Sequence, residues 1–231
     1  MRIWDIHPGY LNNQSLLGEH RELHGIAAII SHNKMGYSRH PETVRWRGHG
    51  WALARRHRLL RAEMSLRGFA DKTPVRLRAN VGVWPEEYID TPFRQFKLLA
   101  EKYRHKEAGR IPLPSSAQAL WAQHKYSVLA RDPQYYRAMG RRVAGMRQNA
   151  NCGDLALELT ELLRVRPEPG RAMNALQHMW GYVSANASKR WHDPEIMSPR
   201  ALLNEIQTLA VRYRQVYLLA STALTDLAAW M

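Results

Sequence analysis

The residues best suited to chemistry stand close to the start of the chain. Arg2 follows the first residue, and Gln14, Arg21 and Glu22 fall on or near a segment with helical spacing. Arginine suits bidentate contacts with phosphate, and a carboxylate can transfer protons. Glu22 lies about 100° around that helix from Arg21. By spacing alone, however, a carboxylate beside guanidinium groups is typical of a surface ion pair.

Two histidines on the same segment raise the possibility of a metal site. His20 and His24 are four residues apart and share one helical face. No third ligand at a convincing spacing is evident nearby. A single cysteine, Cys152, excludes a multi-thiolate site and an internal disulfide. We therefore expect no metal and no organic cofactor, and we interpret the pair as ordinary core or groove histidines.

Several common catalytic signatures are missing from the chain. It has no glycine-rich phosphate loop of the dinucleotide or P-loop type, no His-Glu-x-x-His zinc helix and no Gly-x-Ser-x-Gly elbow. These absences argue against the enzyme classes that depend on those motifs.

The charge of the chain points to a polyanionic partner. Its 231 residues include 34 Lys+Arg and 20 Asp+Glu, a formal net charge of +14. Nucleic acid is the first candidate partner and an anionic membrane surface the second. A basic surface that binds nothing is the alternative. Residues 1–110 hold 20 basic and 11 acidic side chains, and residues 111–231 hold 14 and 9. The N-terminal part therefore has the larger positive charge and is the better candidate for binding a polyanion.

The chain ends carry no targeting or membrane signal. Residues 1–8 contain charge and proline where a signal peptide needs an apolar run, and the apolar stretch 217–231 is short and interrupted by Asp226. We expect no membrane partner and, with one cysteine, a cytoplasmic protein.

Helical patterns dominate the first half. A helix is predicted after Asn12-Asn13, a second over 51–66, and a third from Pro92 toward Lys106. The stretch 75–84 alternates only briefly and is predicted to be an extended connector.

Residues 108–116, with two prolines, a glycine and two serines, form the best linker candidate. Further helices are predicted over 117–130, from Asp132-Pro133, over 154–164, over 171–187, and from Ser198-Pro199 to the end of the chain. The sequence thus predicts an all-α protein of two helical domains, 1–110 and 111–231, joined by a Pro/Ser linker.

Four groups of residues in the first 104 positions also occur in a recognisable order and spacing. They are Arg2-Ile3, the helix with Gln14 and Glu19-His20-Arg21-Glu22-Leu23, the Tyr37-Ser38-Arg39-His40-Pro41 loop, and Gly48-His49 ahead of a basic helix ending Leu66-Arg67-Gly68-Phe69. In this the chain resembles the pyrimidine-dimer DNA glycosylases of the phage endonuclease V type.

The resemblance implies a reaction and a set of roles. In that family the N-terminal α-amine attacks C1′ of the damaged nucleotide, displaces the base as a Schiff base forms, and β-elimination cleaves the strand. Met1 stands at the nucleophile position, because bulky Arg2 opposes its removal, and Glu22 matches the carboxylate that shuttles protons. Arg2 and Arg21 match phosphate contacts, and Gln14 a groove residue. The implied partner is double-stranded DNA with damaged pyrimidines, bound by a monomer.

This chain has Gly25 and Ser15 where the family has arginine and histidine. Arg39, His49 and Arg55 are therefore further candidates for DNA binding. Other basic residues could also replace lost phosphate contacts or belong to a solvated helix face: Arg45, Arg47, Arg56, Arg58 and Arg61.

The second half has marks of its own, in 121–126, 132–136 and 174–182. Through these, residues 117–231 resemble a bacterial helical domain of unknown function that is found fused to thiouracil desulfidases. The residues of these motifs could form either a pocket that binds a nucleobase or a hydrogen-bonded junction between helices. The pocket candidates are Trp121, Lys125, Asn174, His178 and Tyr182.

The sequence therefore favours a DNA repair glycosylase with AP-lyase activity. Two alternatives stay open: a nucleic-acid-binding protein without the lyase step, and an enzyme of modified or thiolated pyrimidines that uses the C-terminal domain.

Overall fold

The computed structural model describes residues 1–147, 151–187 and 197–231. These residues form helices and connecting segments without a β-strand, which confirms the prediction of an all-α fold. The chain divides into two compact units, Met1–Gly109 and Arg110–Met231. None of the described helices combines the length and apolarity needed to cross a bilayer.

Unit 1 contains four of the described α-helices and one 3-10 helix, Pro8–Tyr10. The α-helices are α1 (Asn13–His32), α2 (Pro41–Trp46), α3 (Gly50–Leu66) and α4 (Pro92–Lys102).

The ends of α1 follow from local sequence. The side chain of Asn12 accepts the Ser15 N–H at the first turn, and Asn33 adopts a left-handed φ of 48° at the end. The predicted start of α1 is therefore confirmed, as is α3 to within one residue.

Two features of unit 1 differ from the prediction. Helix α4 ends at Lys102 instead of running toward Lys106, and α2 was not predicted at all. With six residues, α2 is too short for a helical period to be visible. It begins at Pro41, with the His40 side chain accepting the Glu42 N–H.

The core of unit 1 lies between α1 and α3, which pack against each other. Leu16, Leu23 and Ile26 of α1 and Leu53 and Leu60 of α3 are fully buried. Each such side chain contributes about 1.5–3 kcal/mol by leaving water. The predicted connector 75–84 is confirmed as non-helical, and its Ala79 carbonyl accepts the N–H of Trp51 at the start of α3, 3.0 Å away.

Unit 2 is built around a central helix. Its α-helices are α5 (Ala117–Leu129), α6 (Pro133–Ala144), α7 (Gly153–Arg164), α8 (Pro169–Trp180), α9 (Pro199–Arg212), α10 (Val216–Leu219) and α11 (Ala223–Trp230), with a 3-10 helix at Ser184–Asn186. Helix α5 packs against α6, α7, α8 and α11.

Two predicted helices of unit 2 are wrong in extent. The helix predicted over 171–187 begins earlier, at Pro169, and ends at Trp180. The long helix predicted from 198 to the end breaks into α9, α10 and α11. Arg214 takes a left-handed φ of 49° in the first break. In the second, the Thr222 N–H donates to the carbonyl of Gln123 on α5, so a tertiary contact overrides helix propensity.

Candidate active site

The first twelve residues form a buried segment that contains only a short 3-10 helix. Chain termini usually fray unless something holds them. Here Ile3, Trp4, Ile6, Tyr10 and Leu11 are each less than a tenth exposed, so the beginning of the chain is part of the core.

Side chains from four helices hold the backbone of this segment. Gln95 of α4 accepts the N–H groups of Asp5 (2.8 Å) and Ile6 (3.3 Å). Glu42 of α2 accepts the N–H of Ile3 at 3.2 Å, and Arg56 of α3 donates to the Ile6 carbonyl at 2.8 Å.

Farther along, the Arg67 guanidinium donates to the carbonyls of Pro8, Gly9 and Leu11. Together these bonds satisfy backbone groups that no regular structure pairs.

Glu22, from α1, reaches the same segment next to the terminal amine. Its Oε2 accepts the backbone N–H of Arg2 at 2.5 Å. The amine of Met1 and the amide of Arg2 are separated by three bonds, so the carboxylate lies within roughly 6 Å of the amine. A carboxylate there can exchange protons with a substrate bound at the amine, and can stabilise positive charge that develops on it.

The Met1 amine itself contacts His40, which precedes α2. The distance from the amine nitrogen to Nε2 of His40 is 3.2 Å. The other ring nitrogen, Nδ1, accepts the N–H of Glu42 at 3.2 Å. In the neutral ring, a nitrogen that accepts has no proton, so Nε2 carries the hydrogen and donates toward the amine. The ring thus holds the amine in place, one residue from the backbone N–H that Glu22 accepts.

Arg2 lies next to this site and is held by two contacts. Its guanidinium stacks on the Trp4 ring, 4.4 Å from the centroid, and Nη1 pairs with Asp90 at 2.6 Å. Nε is buried and has no hydrogen-bond partner among the described residues. The side chain as a whole is part-exposed, so the arginine is fixed in place beside the amine.

One face of α1 leads away from Glu22 and stays open. Gln14 and Arg21 are exposed there, and Arg21 donates to the Leu17 carbonyl of its own helix. A Cβ added at Gly18 or Gly25 would meet no atom within 4 Å. A partner could therefore approach this face closely.

Arginines also line a groove of about 450 Å³ between α3 and the segment 74–81. Arg55, Arg58 and Arg61 come from the helix, and Arg76 and Arg78 from the segment opposite. Arg39 is exposed in the loop before α2, and His49, at the start of α3, is half-buried with Nδ1 3.4 Å from the Val83 carbonyl. Such a concentration of guanidinium groups suits phosphate binding.

The interpretation of Arg45 and Arg56 as phosphate contacts is wrong. The Arg56 side chain is 4% exposed and forms a two-pronged ion pair with Glu19 at 2.7 and 2.9 Å. The Arg45 side chain is 5% exposed and pairs with Asp5 and Glu42. Both hold the fold together, because a buried guanidinium needs its carboxylate partner.

The opposite side of α1 carries a cluster that spacing alone did not reveal. His20 and His24 meet His57 of α3 and Asp71, which follows α3. The interpretation that no third ligand lies near the histidine pair is therefore wrong. Burial lowers the pKa of His57 to about 4, and burial together with the neighbouring His24 lowers that of His20.

In unit 2, three of the five pocket candidates belong to one aromatic cluster. Trp121 packs on Tyr136, Lys125 lies over Tyr217, and Tyr182 stacks on Tyr217 with ring centroids 4.9 Å apart. Burial, the largest single influence, would lower the pKa of Lys125, but the hydrogen bond to Tyr217 and the charge interactions with Tyr217, Tyr182 and Tyr136 together outweigh it, and the pKa is raised.

The other two candidates do not share this cluster. Asn174 and His178 are exposed on α8, whose buried side consists of Ala172, Ala175, Leu176, Met179 and Trp180. Tyr126 and Tyr136 lie within the motifs 121–126 and 132–136 and could have been found as aromatic partners from the sequence, whereas Tyr217 lies outside the motifs.

Comparison with known proteins agrees with the division of the chain. Residues 1–77 match the family model described as pyrimidine dimer DNA glycosylase, and residues 125–226 match that of a protein of unknown function (DUF1722). Both resemblances inferred from the sequence are thereby confirmed, and the family in the N-terminal region acts on DNA. Neither a curated protein nor a solved structure matches the chain.

Sequence reasoning missed His40 and Glu42 as neighbours of the terminus. Each lies 39 residues from its partner in the N-terminal segment. The available signal was the His40-Pro41-Glu42 sequence, in which proline at a first helical turn marks a helix start.

Proposed function

We propose that the protein is a DNA glycosylase with AP-lyase activity that excises damaged pyrimidines through the amine of Met1. The observation that carries this proposal is the anchoring of the chain terminus, with His40 against the amine and Glu22 one residue away. A protein that only binds DNA does not need an ordered chain terminus. A protein whose terminal nitrogen is the nucleophile needs that nitrogen held in a fixed position.

In the proposed reaction the Met1 nitrogen attacks C1′ of the damaged nucleotide. The bond from C1′ to the base breaks, and the base leaves with its electron pair and a proton. The sugar ring then opens as a protonated Schiff base forms between the nitrogen and C1′. Loss of a C2′ proton expels the 3′ phosphate and cleaves the strand. Each proton transfer occurs within reach of Glu22.

Phosphate binding is assigned to the open face of α1 and to the arginine groove. Gln14, Arg21 and Arg2 would flank the lesion, with Arg39, His49 and Arg55 extending the contact along the duplex. Phosphate contacts place the protein on DNA without reading its sequence. A damaged base that stacks poorly is the least costly to extrude toward the amine.

The decisive experiment is borohydride trapping on an oligonucleotide with an abasic site. The native chain should give a covalent adduct of one protein per strand, and mass analysis should locate it on Met1. The variant Glu22→Gln should trap at least about 100-fold more slowly, the usual contribution of a positioned acid or base. Glu101→Gln, an exposed carboxylate on α4, is the matched control and should trap normally.

A second arm separates chemistry from binding. One extra residue before Met1 moves the amine by about 3.8 Å, which should abolish trapping and leave salt-sensitive DNA binding intact. Binding of native protein without any adduct would refute the lyase proposal and favour a non-catalytic DNA-binding protein.

For unit 2 we propose a binding role for the cluster of Trp121, Lys125 and Tyr182. Its support is a stacked pair, Tyr182 on Tyr217, of which Tyr182 is 40% exposed beside a raised-pKa lysine. Aromatic faces and a cation together suit an unpaired nucleobase. Tyr182→Ala should weaken single-strand binding, whereas His178→Ala on the exposed side of α8 should not. Equal effects would refute this role.

A further inference from the structure

Four potential ligand atoms converge on the side of α1 that faces away from Glu22. They are the Nε2 atoms of His20, His24 and His57 and the carboxylate of Asp71, and all lie within 4.8 Å of one another. Three structural elements supply them: α1, α3 and the segment that follows α3. His20 and His24 are neighbours on one helical face, and the fold brings the distant His57 and Asp71 to them.

The spacing of these atoms approaches that of a tetrahedral metal site. The Nε2 of His24 lies 3.3 Å from that of His20 and 3.1 Å from that of His57. Oδ1 of Asp71 is 3.3 Å from Nε2 of His20, and Oδ2 is 3.5 Å from Nε2 of His57. Ligands about 2.0–2.2 Å from zinc at the corners of a tetrahedron are separated by roughly 3.3–3.5 Å. A metal ion at the centre therefore requires the four side chains to close in from separations of up to 4.8 Å, with one oxygen of Asp71 turned toward the ion.

Hydrogen bonding among the rings does not account for the arrangement. Nε2 of His24 is close to two other Nε2 atoms, and one ring nitrogen has either a single proton or a single lone pair. It can therefore complete only one of the two contacts well. A cation at the centre accepts the lone pairs of all three rings at once.

The surroundings orient the ligands as in metal sites. The side chains of His57 and Asp71 are 3% and 2% exposed. Thr73 donates to Oδ1 of Asp71 through both its backbone N–H and its hydroxyl, each at 3.0 Å. Partners of this kind fix a ligating carboxylate. The nearby Arg61 has its Nε 3.6 Å from Oδ2, but its side chain is 56% exposed and can move outward.

We propose that His20, His24, His57 and Asp71 bind one structural Zn²⁺ ion. Three imidazoles and one carboxylate suit zinc, whereas Ca²⁺ and Mg²⁺ prefer oxygen ligands alone. Four protein ligands leave no open position for substrate, which is typical of a structural site.

The ion would join α1 to α3 and to the segment after it. On α1, Glu22 points about 180° away from the histidine pair. The metal therefore fixes the helix that carries Glu22 and takes no part in the reaction. The site stands on its own geometry, whether or not the Met1 amine is a nucleophile.

The test begins with the full-length native protein, stripped of metal by a chelator. Titration with Zn²⁺ should show one site per chain tighter than about 0.1 μM, and the melting temperature should rise on binding. Co²⁺ should bind at the same stoichiometry and give the intense visible absorption of a tetrahedral complex. Weaker or non-stoichiometric binding, or an octahedral Co²⁺ spectrum, would overturn the proposal, and this result needs no variant to fold.

Variants then locate the site. His24→Gln and Asp71→Asn should each weaken Zn²⁺ binding by roughly 100-fold or more, beyond the 10–100-fold that loss of an outer-shell partner typically costs. His32→Gln is the matched control, since His32 is exposed on the same helix. Binding that survives Asp71→Asn but falls with His32→Gln would place the ion elsewhere and refute this ligand set. Glu22→Gln should leave Zn²⁺ affinity unchanged while trapping is lost, so the two proposals can fail separately.

Discussion

The two units use a buried arginine for different purposes. In unit 1, Arg56 pairs with Glu19 and donates to the Ile6 carbonyl in the N-terminal segment. In unit 2, Arg131 pairs with Asp226 and donates to the carbonyls of Val165 and Leu163 near the end of α7. The second arrangement satisfies the last carbonyls of a helix, which every helix end requires.

The first arrangement serves a segment that has no regular structure. Fixing irregular backbone costs conformational entropy, and burying charge adds a desolvation penalty. Burial of Ile3, Trp4, Ile6, Tyr10 and Leu11 in the core offsets part of these costs. The comparison teaches that unit 1 uses its buried polar groups to fix irregular backbone, whereas unit 2 uses them at the end of a helix.

The largest expected effect comes from removing the two arginines in parallel. Arg56→Met and Arg131→Met each leave a buried carboxylate unpaired, so each should lower the free energy of unfolding by about 3–5 kcal/mol. Under conditions where both variants remain folded, only Arg56→Met should also reduce borohydride trapping. Denaturant unfolding and the trapping assay check this. Equal trapping by both variants would contradict the distinction between the units.

Acid should destabilise unit 2 through a buried histidine. Burial lowers the pKa of His124 to about 4, from about 6.5 when unfolded. The native state favours the neutral ring, so the contribution of His124 to folding stability is fully present above pH 6.5. That contribution is lost as the pH falls toward 4. The loss amounts to about 3 kcal/mol. The free energy of unfolding should depend less steeply on pH between 4 and 6.5 in His124→Gln than in the native protein. The exposed His178→Gln is the control and should behave like the native protein. The same pH dependence in His124→Gln and the native protein would contradict this prediction.

A smaller effect should follow from removing the ring beside the amine. His40→Ala removes the side chain that contacts and positions the Met1 nitrogen, so borohydride trapping should fall several-fold. His40→Asn keeps a polar cap for α2 and should preserve the fold, so it separates the contact with the amine from the capping of the helix. Normal trapping by His40→Asn would indicate that the ring acts only as the cap of α2.

The smallest effect is a gain. Gly25→Arg places an arginine on the open face of α1, where an added side chain meets no atom within 4 Å. DNA affinity should rise by roughly threefold to tenfold. The slope of log binding constant against log salt concentration should become steeper by about one, because one more counterion is released. Binding titrations at several salt concentrations measure both. Lys34→Arg, which keeps the charge in an exposed turn after α1, is a control expected to change neither.

Local signals predicted much of the fold. Asn12, Asp132 and Ser198 each cap a helix where the sequence places them. Each of these caps binds a backbone N–H two or three residues away, so local sequence suffices. The break between α10 and α11 involves Gln123, about a hundred residues away, and could not be predicted in this way.

The candidate site was predictable only in part. Glu22 was identified through family resemblance, because its spacing from Arg21 alone is that of a surface ion pair, and Arg2 was identified through the same resemblance. His57 and Asp71 escaped notice because a metal site assembled from three elements has no fixed sequence spacing. His40 was missed for the same reason, since its contact with Met1 spans 39 residues.

The bond from Gln95 to Asp5 joins positions 90 residues apart. A ribosome makes residues 5 and 6 well before α4, yet these hydrogen bonds cannot form until α4 has emerged. The N-terminal segment is therefore among the last parts of unit 1 to be immobilised. Truncated translation products that stop short of α4 would lack these bonds, so the arrangement of Met1, Glu22 and His40 would be complete only after the whole of unit 1 has been made.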